Sequence, residues 1–82
     1  MIRILLSIRL GEKRWKQADL ARLTGIRPST INDLYNEFTD RVSLDHLNRI
    51  CEVLGCDLPD LIAREESIPP ETLARMQHKP RK

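Results

Sequence analysis

The stretch that decides the fold is QADLARLTGIRPSTINDLY, residues 17–35, in which two helical patterns lie on either side of a single glycine. Gly25 ends the first pattern, because glycine readily takes the left-handed conformation that helix C-termini commonly need. Pro28 begins the second, since proline fits the first turn of a helix and cannot continue the helix before it. The stretch therefore predicts two short helices, at residues 17–24 and about 28–36, joined by a tight turn.

The second of these helices has two chemically different faces. A step of about 100° per residue places Ile31, Leu34 and Tyr35 on one apolar face. The opposite face carries short hydrogen-bonding side chains, at Ser29, Asn32, Asp33 and Asn36. Surface helices that need only solubility usually carry Lys and Glu in i,i+4 pairs. The polar face therefore favours a helix that is presented to a ligand over a hairpin built only for packing.

The size and composition of the chain limit the classes of fold. Its 82 residues suffice for one small domain, because burial of surface becomes inefficient as chains shorten. The chain has one Trp, one Tyr, one Phe and three glycines. β-Sandwiches and β-barrels need more aromatic residues and more glycines than this. The composition therefore predicts an all-helical domain.

The N-terminal segment MIRILLSIRL is apolar but interrupted by arginine. Arg3 and Arg9 break the apolar run, so the segment lacks the core of a signal peptide and is too short to span a bilayer. We therefore expect a cytoplasmic protein without a membrane partner. The apolar residues recur every three or four positions, which predicts a first helix over residues 2–13.

Charge is distributed unevenly behind the net value of +2. Residues 1–41 hold eight Lys and Arg against five Asp and Glu, residues 42–66 hold two against six, and residues 67–82 hold four against one. The basic leading half suits a domain that faces a polyanion, and an ordinary solvated surface can also produce it.

Two further helices are expected after the central pair. Ser43 is predicted to be the N-cap of a fourth helix that ends at Gly55. Its apolar stripe consists of Leu44, Leu47, Ile50, Cys51 and Leu54. Asp57 is predicted to cap a short fifth helix. The residues of that helix available for the core are Leu58, Leu61 and Ile62.

The C-terminal segment SIPPETLARMQHKPRK is expected to be a tail outside the helical domain. The domain is predicted to cover residues 1–66, and the tail is the basic, proline-containing stretch 67–82. Consecutive prolines and a charged end are compatible with two states, a disordered tail or one or two turns of helix at about residues 72–76.

Catalytic and metal-binding patterns are missing from the sequence. There is no supported Ser-His-Asp set, no Gly-rich phosphate loop and no cluster of carboxylates, which are the usual signs of an active site. Cys51, Cys56 and His46 lack the spacing and the fourth ligand of a zinc site. We interpret the cysteines as small packing residues and the histidine as exposed or capping. The prediction is a protein that is not an enzyme and has no metal or cofactor.

The helical series as a whole resembles a known family. The central stretch and the later VSLDHLNRICEVLGCDLPDLI resemble the helix-turn-helix of the Cro and phage-repressor superfamily, also called the Xre family. The positions that carry the central resemblance are Gln17, Ala21, Gly25, Ile31 and Leu34. The resemblance extends over about residues 5–62 and is to the small, single-domain regulators. It implies an all-α, five-helix lambda-repressor-like DNA-binding domain.

The resemblance also implies a division of contacts with double-stranded DNA. Base edges are read from the start and the outward face of the second central helix, which enters the major groove. The corresponding residues here are Arg27, Ser29, Thr30, Asn32, Asp33 and Asn36. Contacts to the DNA backbone come from other elements. The residues proposed for them are Gln17, Lys16, Lys13, Arg14 and Arg41.

Three positions need a separate interpretation. Lys16 stands where the family usually has a Ser or Thr cap for the second helix, so that capping bond is expected to be missing. Leu10 stands where a structural arginine is often found, which puts a buried ion pair with the second helix in doubt. Trp15 is interpreted as a packing residue in front of the second helix rather than a base-stacking residue.

The leading functional hypothesis is a transcriptional repressor that binds a palindromic operator as a homodimer. One recognition helix makes few contacts, and two half-sites multiply them. The alternative is an antitoxin that regulates its own operon and binds a toxin through residues 67–82. A third possibility is a structural helical bundle that does not bind DNA, which would leave the polar face of the second central helix without a role.

Overall fold

The computed structural model describes residues 1–76, and this part of the chain is mostly helical with one small sheet. In chain order the elements are β1 (Ile2–Ile4), α1 (Leu6–Lys13), α2 (Gln17–Thr24), α3 (Pro28–Tyr35), α4 (Leu44–Leu54), α5 (Leu58–Leu61), β2 (Ile62–Arg64) and α6 (Pro70–Arg75). The prediction of a helical domain around a helix-turn-helix is confirmed. None of the helices within residues 1–76 combines the length and apolar character that crossing a membrane would require.

The core is formed by apolar side chains from α1 to α5. Its fully buried members are Leu6, Leu10, Leu20, Ile31, Ile50 and Leu61. Burial of one such side chain contributes about 1.5–3 kcal/mol. Helices as short as α2 and α3 are marginally stable in isolation. Each of them contributes at least one of these buried residues, so packing against the core stabilises the pair.

The N-terminal prediction is wrong in one respect, because residues 2–4 form a strand and the first helix begins only at Leu6. Strand β1 pairs antiparallel with β2, with Ile2 opposite Arg64 and Ile4 opposite Ile62. The sequence Ile-Arg-Ile has the two-residue period and the β-branched side chains that strands favour. Those same isoleucines also fit a helical stripe, so only the presence of a partner strand decides between the two.

A buried ion pair joins the sheet to the end of α3. The Arg3 guanidinium donates to Glu37 through Nε at 2.9 Å and through Nη2 at 3.0 Å, and the Ile4 backbone N–H donates to the same carboxylate at 2.9 Å. Hydrogen bonding to Glu37 raises the pKa of Arg3. Glu37 follows α3 in the left-handed conformation, with φ of 57°. The pair therefore ties β1 to the position where α3 ends.

Helix α4 has the caps that were predicted, but one end of its apolar stripe is exposed. The Ser43 hydroxyl accepts from the His46 backbone N–H at 3.3 Å, and Gly55 ends the helix with φ of 67°. Leu47, Ile50 and Leu54 are buried as expected, whereas Leu44 is 82% exposed. Leu58, at the start of α5, is also largely exposed. The prediction that these two leucines join the core is wrong.

The two cysteines lie at the end of α4 and just beyond it. Cys51 and Cys56 are both free, half-buried and packed against the core. Burial raises the pKa of the Cys51 thiol, and the neighbouring Cys56 adds to this effect. A thiol with a raised pKa is a poor nucleophile and a poor metal ligand, which agrees with the interpretation of Cys51 as a packing residue.

The described part of the C-terminal tail folds back on the domain. A 3₁₀ turn at Glu65–Ser67 leads into α6. Ile68 and Met76 are buried in a small second cluster together with Leu5 and Ile8. The prediction for residues 77–82 lies outside the described residues, and a boundary between domain and tail at residue 66 stays a prediction.

Candidate nucleic-acid interface

The turn between α2 and α3 is held by hydrogen bonds on both sides of Gly25. The Gly25 backbone N–H donates to the Ala21 carbonyl at 2.9 Å. The Thr24 hydroxyl donates to the Leu20 carbonyl at 2.7 Å and accepts from the Ile26 backbone N–H at 3.2 Å. These bonds satisfy the backbone groups that a helix end leaves open, so the angle between the two helices is well determined.

A side chain from α4 supports the same turn. Arg49 donates from Nη1 to the Thr24 carbonyl at 3.3 Å, and its Nη2 lies 2.9 Å from an Asp45 carboxylate oxygen. The guanidinium therefore satisfies one of the last carbonyls of α2 while its charge is partly neutralised. This contact links the turn to the helix that follows the candidate recognition helix.

Replacing Gly25 with alanine is expected to reduce the free energy of unfolding by about 1–2 kcal/mol, the cost of the left-handed conformation for a residue with Cβ. Gly25 has φ of 74°, and an added Cβ would meet only Arg49 Nη1 at 3.8 Å, so backbone strain dominates over a clash. Gly11 is a matched control in α1, where an added Cβ meets nothing within 4 Å. Gly11→Ala is expected to stabilise the protein by about 0.5–1 kcal/mol. Urea denaturation measures the free energy of unfolding of both variants. A loss of stability in both would contradict the assignment of backbone strain to the turn.

The two faces of α3 are as the sequence predicts. Ile31 and Leu34 are buried, at 0% and 2% exposure. Ser29, Asn32 and Asp33 are exposed. The apolar face is thus anchored in the core while the hydrogen-bonding side chains point to solvent.

Asn32 and Asn36 are coupled along the outer face of α3. The Asn36 side-chain amide donates from Nδ2 to both the backbone carbonyl and the Oδ1 of Asn32, each at 3.0 Å. Asn36 is half-buried and Asn32 is exposed. The contact restricts the Asn32 side chain and uses only its oxygen, so the Asn32 Nδ2 keeps its capacity to donate to a ligand.

A shallow cleft runs along α3 between this helix and the start of α4. It encloses about 270 Å³ and is lined by Thr30, Asp33, Leu34, Thr39, Arg41, Val42, Ser43 and His46. Three predicted site residues thus border one depression: Thr30 and Asp33, which were expected to read bases, and Arg41, which was expected to contact the DNA backbone. The cleft also includes His46, for which the sequence predicts only an exposed or capping position. In the sequence, the feature that points to His46 is its position three residues after the N-cap Ser43, close to the loop between α3 and α4.

The loop after α3 holds Arg41 in a defined backbone conformation. The Thr39 hydroxyl donates to the Arg41 carbonyl at 2.8 Å and accepts from the Arg41 backbone N–H at 3.1 Å. The Phe38 N–H donates to the Asp33 carbonyl at 2.8 Å, which closes the end of the helix. Arg41 itself is exposed. Its side chain is therefore free to reach outward from a fixed point beside α3.

Arg27 stands at the N-cap of α3, where the turn meets the helix. Its carbonyl accepts the Ile31 N–H at 3.1 Å, and its side chain is exposed. Pro28 occupies the first turn. Arg27 and Ser29 therefore lie at the N-terminal tip of α3, the end that is expected to meet DNA first.

The start of α2 is capped from inside the helix. Lys16 makes no side-chain cap bond, as predicted, because an ammonium has no acceptor. Instead, the Asp19 carboxylate accepts from the Lys16 backbone N–H at 2.9 Å, and this bond lowers the pKa of Asp19. Gln17 is half-buried at the first helical position, whereas Lys16 is exposed.

Lys13 borders a different surface of the molecule from Arg41. Lys13 borders a second depression that includes Leu54 and Gly55 at the C-terminal end of α4, whereas Arg41 borders the cleft at the start of that helix. Eleven residues of α4 separate the two ends, a length of about 16 Å. The structure therefore does not bring Lys13 together with the residues of α3, and its contact with DNA stays a prediction.

Trp15 explains part of the local arrangement of these basic residues. It is half-buried against the core, and the Lys13 Nζ lies 5.6 Å from the centroid of its ring, within range of a cation–π contact. Arg14, between them, ends α1 in the left-handed conformation with φ of 58°. These positions agree with the interpretation of Trp15 as a packing residue.

Comparison with known protein families gives a match over most of the chain. Residues 6–67 match the family model of the Cro/C1-type HTH DNA-binding domain. The match begins at the first residue of α1 and ends with the 3₁₀ turn, so it leaves β1 and α6 outside. No curated protein and no solved structure matches the chain.

Proposed function

Because the chain belongs to the Cro/C1-type helix-turn-helix DNA-binding family, we propose that it is a sequence-specific transcriptional repressor that binds a palindromic operator as a homodimer. The observation that carries the proposal is the polarity of α3. Its apolar face is buried, and Ser29, Asn32 and Asp33 are exposed together on the other face. The proposal places the protein in the cytoplasm, in the compartment that holds its DNA.

In this proposal α3 enters the major groove with its N-terminal end first. Asn32 is the strongest candidate for base reading, because an asparagine amide can bond adenine through two atoms. Arg27 at the tip suits guanine, and Asp33 can accept from the amino group of cytosine. Asn36 already donates to Asn32, so we assign it the role of holding that amide rather than reading a base itself.

Contacts to phosphates would set the register of the helix in the groove. Arg41 lies beside α3 on a loop fixed by Thr39, and Gln17 lies at the electropositive N-terminus of α2. These two residues flank α3 in the chain. In this proposal Gln17 and Arg41 supply affinity without sequence preference, and recognition of the base edges is the role of α3.

Alanine substitutions separate the two roles. Asn32→Ala is expected to cost about 1–3 kcal/mol of discrimination at one base pair and to leave affinity for other sequences nearly unchanged. Arg41→Ala is expected to weaken binding to all sequences alike and to reduce the slope of log affinity against log salt by about 1. Fluorescence anisotropy on selected and random duplexes at several salt concentrations measures both quantities.

Selection of bound sites from random duplex DNA provides the sequence for those measurements and a direct test of the proposal. The expected result is an inverted repeat with half-sites centred about 34 Å apart, one helical turn of DNA. Enrichment of no sequence, together with equal effects of the two alanine variants on every duplex, would contradict specific recognition by α3.

A further inference from the structure

The backbone that ends α4 brings the two free cysteines together. Cys51 lies in the last turn of the helix, and Cys56 is the second residue after it. The Cys56 backbone N–H donates to the Cys51 carbonyl at 3.1 Å, and Gly55 has φ of 67°. This bond and a left-handed residue are the features of a Schellman motif, in which the side chains at these two positions commonly contact each other.

The side chains of the two cysteines also interact. Both are half-buried and pack against the same core cluster. Burial is the main cause of the raised pKa of Cys51, and the charge of Cys56 and a hydrogen bond between the two side chains add to it. The two sulfur atoms therefore face each other across the turn at Gly55.

We propose that Cys51 and Cys56 are a modification site, at which a small disulfide such as oxidised glutathione converts the two thiols into a reversible intramolecular disulfide. A disulfide needs Cα atoms that are no more than about 7 Å apart. The 3.1 Å hydrogen bond keeps the two Cα atoms within that limit, since each bonded backbone atom lies at most about 2.4 Å from its own Cα. The inference goes beyond the proposed function and does not depend on DNA binding.

Cys56 is the residue that a small disulfide reaches first. It borders a depression of about 400 Å³ between α1 and the end of α4. Cys51 borders a smaller groove of about 230 Å³, and its raised pKa reduces the fraction of thiolate, which is the nucleophile. Cys51 is therefore assigned to the second step, in which its target is the neighbouring sulfur.

The reaction consists of two thiol–disulfide exchanges. The Cys56 thiol loses its proton to water, and the thiolate attacks one sulfur of oxidised glutathione. The glutathione S–S bond breaks, and one glutathione leaves as a thiolate that takes up a proton. The Cys51 thiolate then attacks the Cys56 sulfur and displaces the second glutathione in the same way. Both cysteine sulfurs are oxidised, and one glutathione disulfide is reduced to two thiols.

The bond would join the end of α4 to the residue before α5. Asp57 caps α5, and Leu61 at the end of α5 is buried in the core. The disulfide would thus restrict the joint between these two helices. In the cytoplasm, the compartment proposed above, glutathione keeps most thiols reduced, and disulfides that form there are usually transient. The site is therefore expected to respond to oxidation rather than to be permanently bridged.

Mass spectrometry of the unmodified full chain tests the bond directly. The protein is equilibrated with mixtures of reduced and oxidised glutathione, and the remaining thiols are alkylated. Trypsin cuts after Arg49 and Arg64, so both cysteines fall in one peptide, residues 50–64. The expected product is this peptide without alkylation and lighter by the two thiol hydrogens, and dithiothreitol restores both thiols. Peptides with glutathione on each cysteine, or two peptides linked between copies, would overturn the proposal.

Single-cysteine variants measure the advantage of proximity. Cys51→Ala and Cys56→Ala are each expected to need at least about tenfold more oxidised glutathione for half modification than the wild type, because the second exchange in the wild type is intramolecular. The matched control combines Cys56→Ala with His46→Cys. It keeps the spacing of five residues within the continuous helix α4, where the two side chains are about 140° apart around the axis. An internal disulfide in this control, as readily as in the wild type, would overturn the role of the turn.

Urea denaturation of the oxidised and the reduced wild type provides a second readout. The oxidised form is expected to have an unfolding equilibrium constant about tenfold lower, because a cross-link restricts the unfolded chain even when it closes a short loop. An equal or larger unfolding constant after oxidation would show that the bond strains the turn at Gly55, and it would overturn the proposal that the native backbone is already arranged for the disulfide.

Discussion

Replacing Glu37 with alanine is expected to lower the free energy of unfolding by about 3–5 kcal/mol, the usual cost of leaving one partner of a buried ion pair unpaired. The side chains of Arg3 and Glu37 are 9% and 3% exposed. The substitution would leave the buried guanidinium with only the partly exposed Glu65 as a carboxylate partner, and it would remove the acceptor of the Ile4 backbone N–H. Because most of the cost is the uncompensated charge, adding Arg3→Met to this variant is expected to recover part of the stability.

Glu65 provides the control, since it contacts the same guanidinium from a more exposed position. Its carboxylate lies 3.1 Å from Arg3 Nη1, and its side chain is 44% exposed. Glu65→Ala is expected to cost less than about 1 kcal/mol, as exposed ion pairs do. Urea denaturation followed by circular dichroism measures all three variants. Equal losses for Glu37→Ala and Glu65→Ala would show that burial does not govern this cluster.

The Glu37 pair also has a consequence for the proposed DNA contact. Glu37 is the second residue after α3, and its bonds join that end of the helix to β1. Loosening them is expected to weaken DNA binding in the temperature range where the variant is still folded, although both residues are buried. The pair would then act by positioning α3.

Ile31→Ala is expected to cost about 2–5 kcal/mol of stability, through lost burial and the cavity that remains. Ile31 is 0% exposed and lies on the inner face of α3. No rotation of the helix can compensate, because Leu34 on the same face is also buried. Thermal and urea denaturation measure the loss, which is expected to lower DNA affinity only as far as the folded fraction falls.

Asn32, the residue after Ile31, is expected to affect sequence preference rather than stability if α3 has the proposed role. Asn32→Ala is expected to change stability by no more than about 0.5 kcal/mol, since exposed surface positions tolerate substitution. Its effect should fall on sequence preference instead. A large loss of stability for Asn32→Ala, or a change of base preference for folded Ile31→Ala, would contradict the division of α3 into an anchoring face and a reading face.

The central helices could be predicted from local chemistry alone. Gly25 and Pro28 each act on the backbone within one or two residues, and the 3.6-residue period assigns Ile31 and Asn32 to opposite faces without knowledge of the rest of the chain. The caps of α4 at Ser43 and Gly55 follow in the same way. For this reason the position and polarity of the candidate recognition helix are properties of the sequence.

Other features depend on residues that are distant in the chain. Residues 2–4 fit both a helical and a strand period, and they form a strand because Ile62–Arg64 is available to pair with them. Glu37 is buried only because Arg3 neutralises it, and no local pattern identifies that partner. Leu44 points outward because the contacts of Leu47 and Ile50 with the core set the rotation of α4. The chain's local chemistry thus determined the position and polarity of α3, whereas tertiary packing decided what supports this helix and which leucines remain exposed.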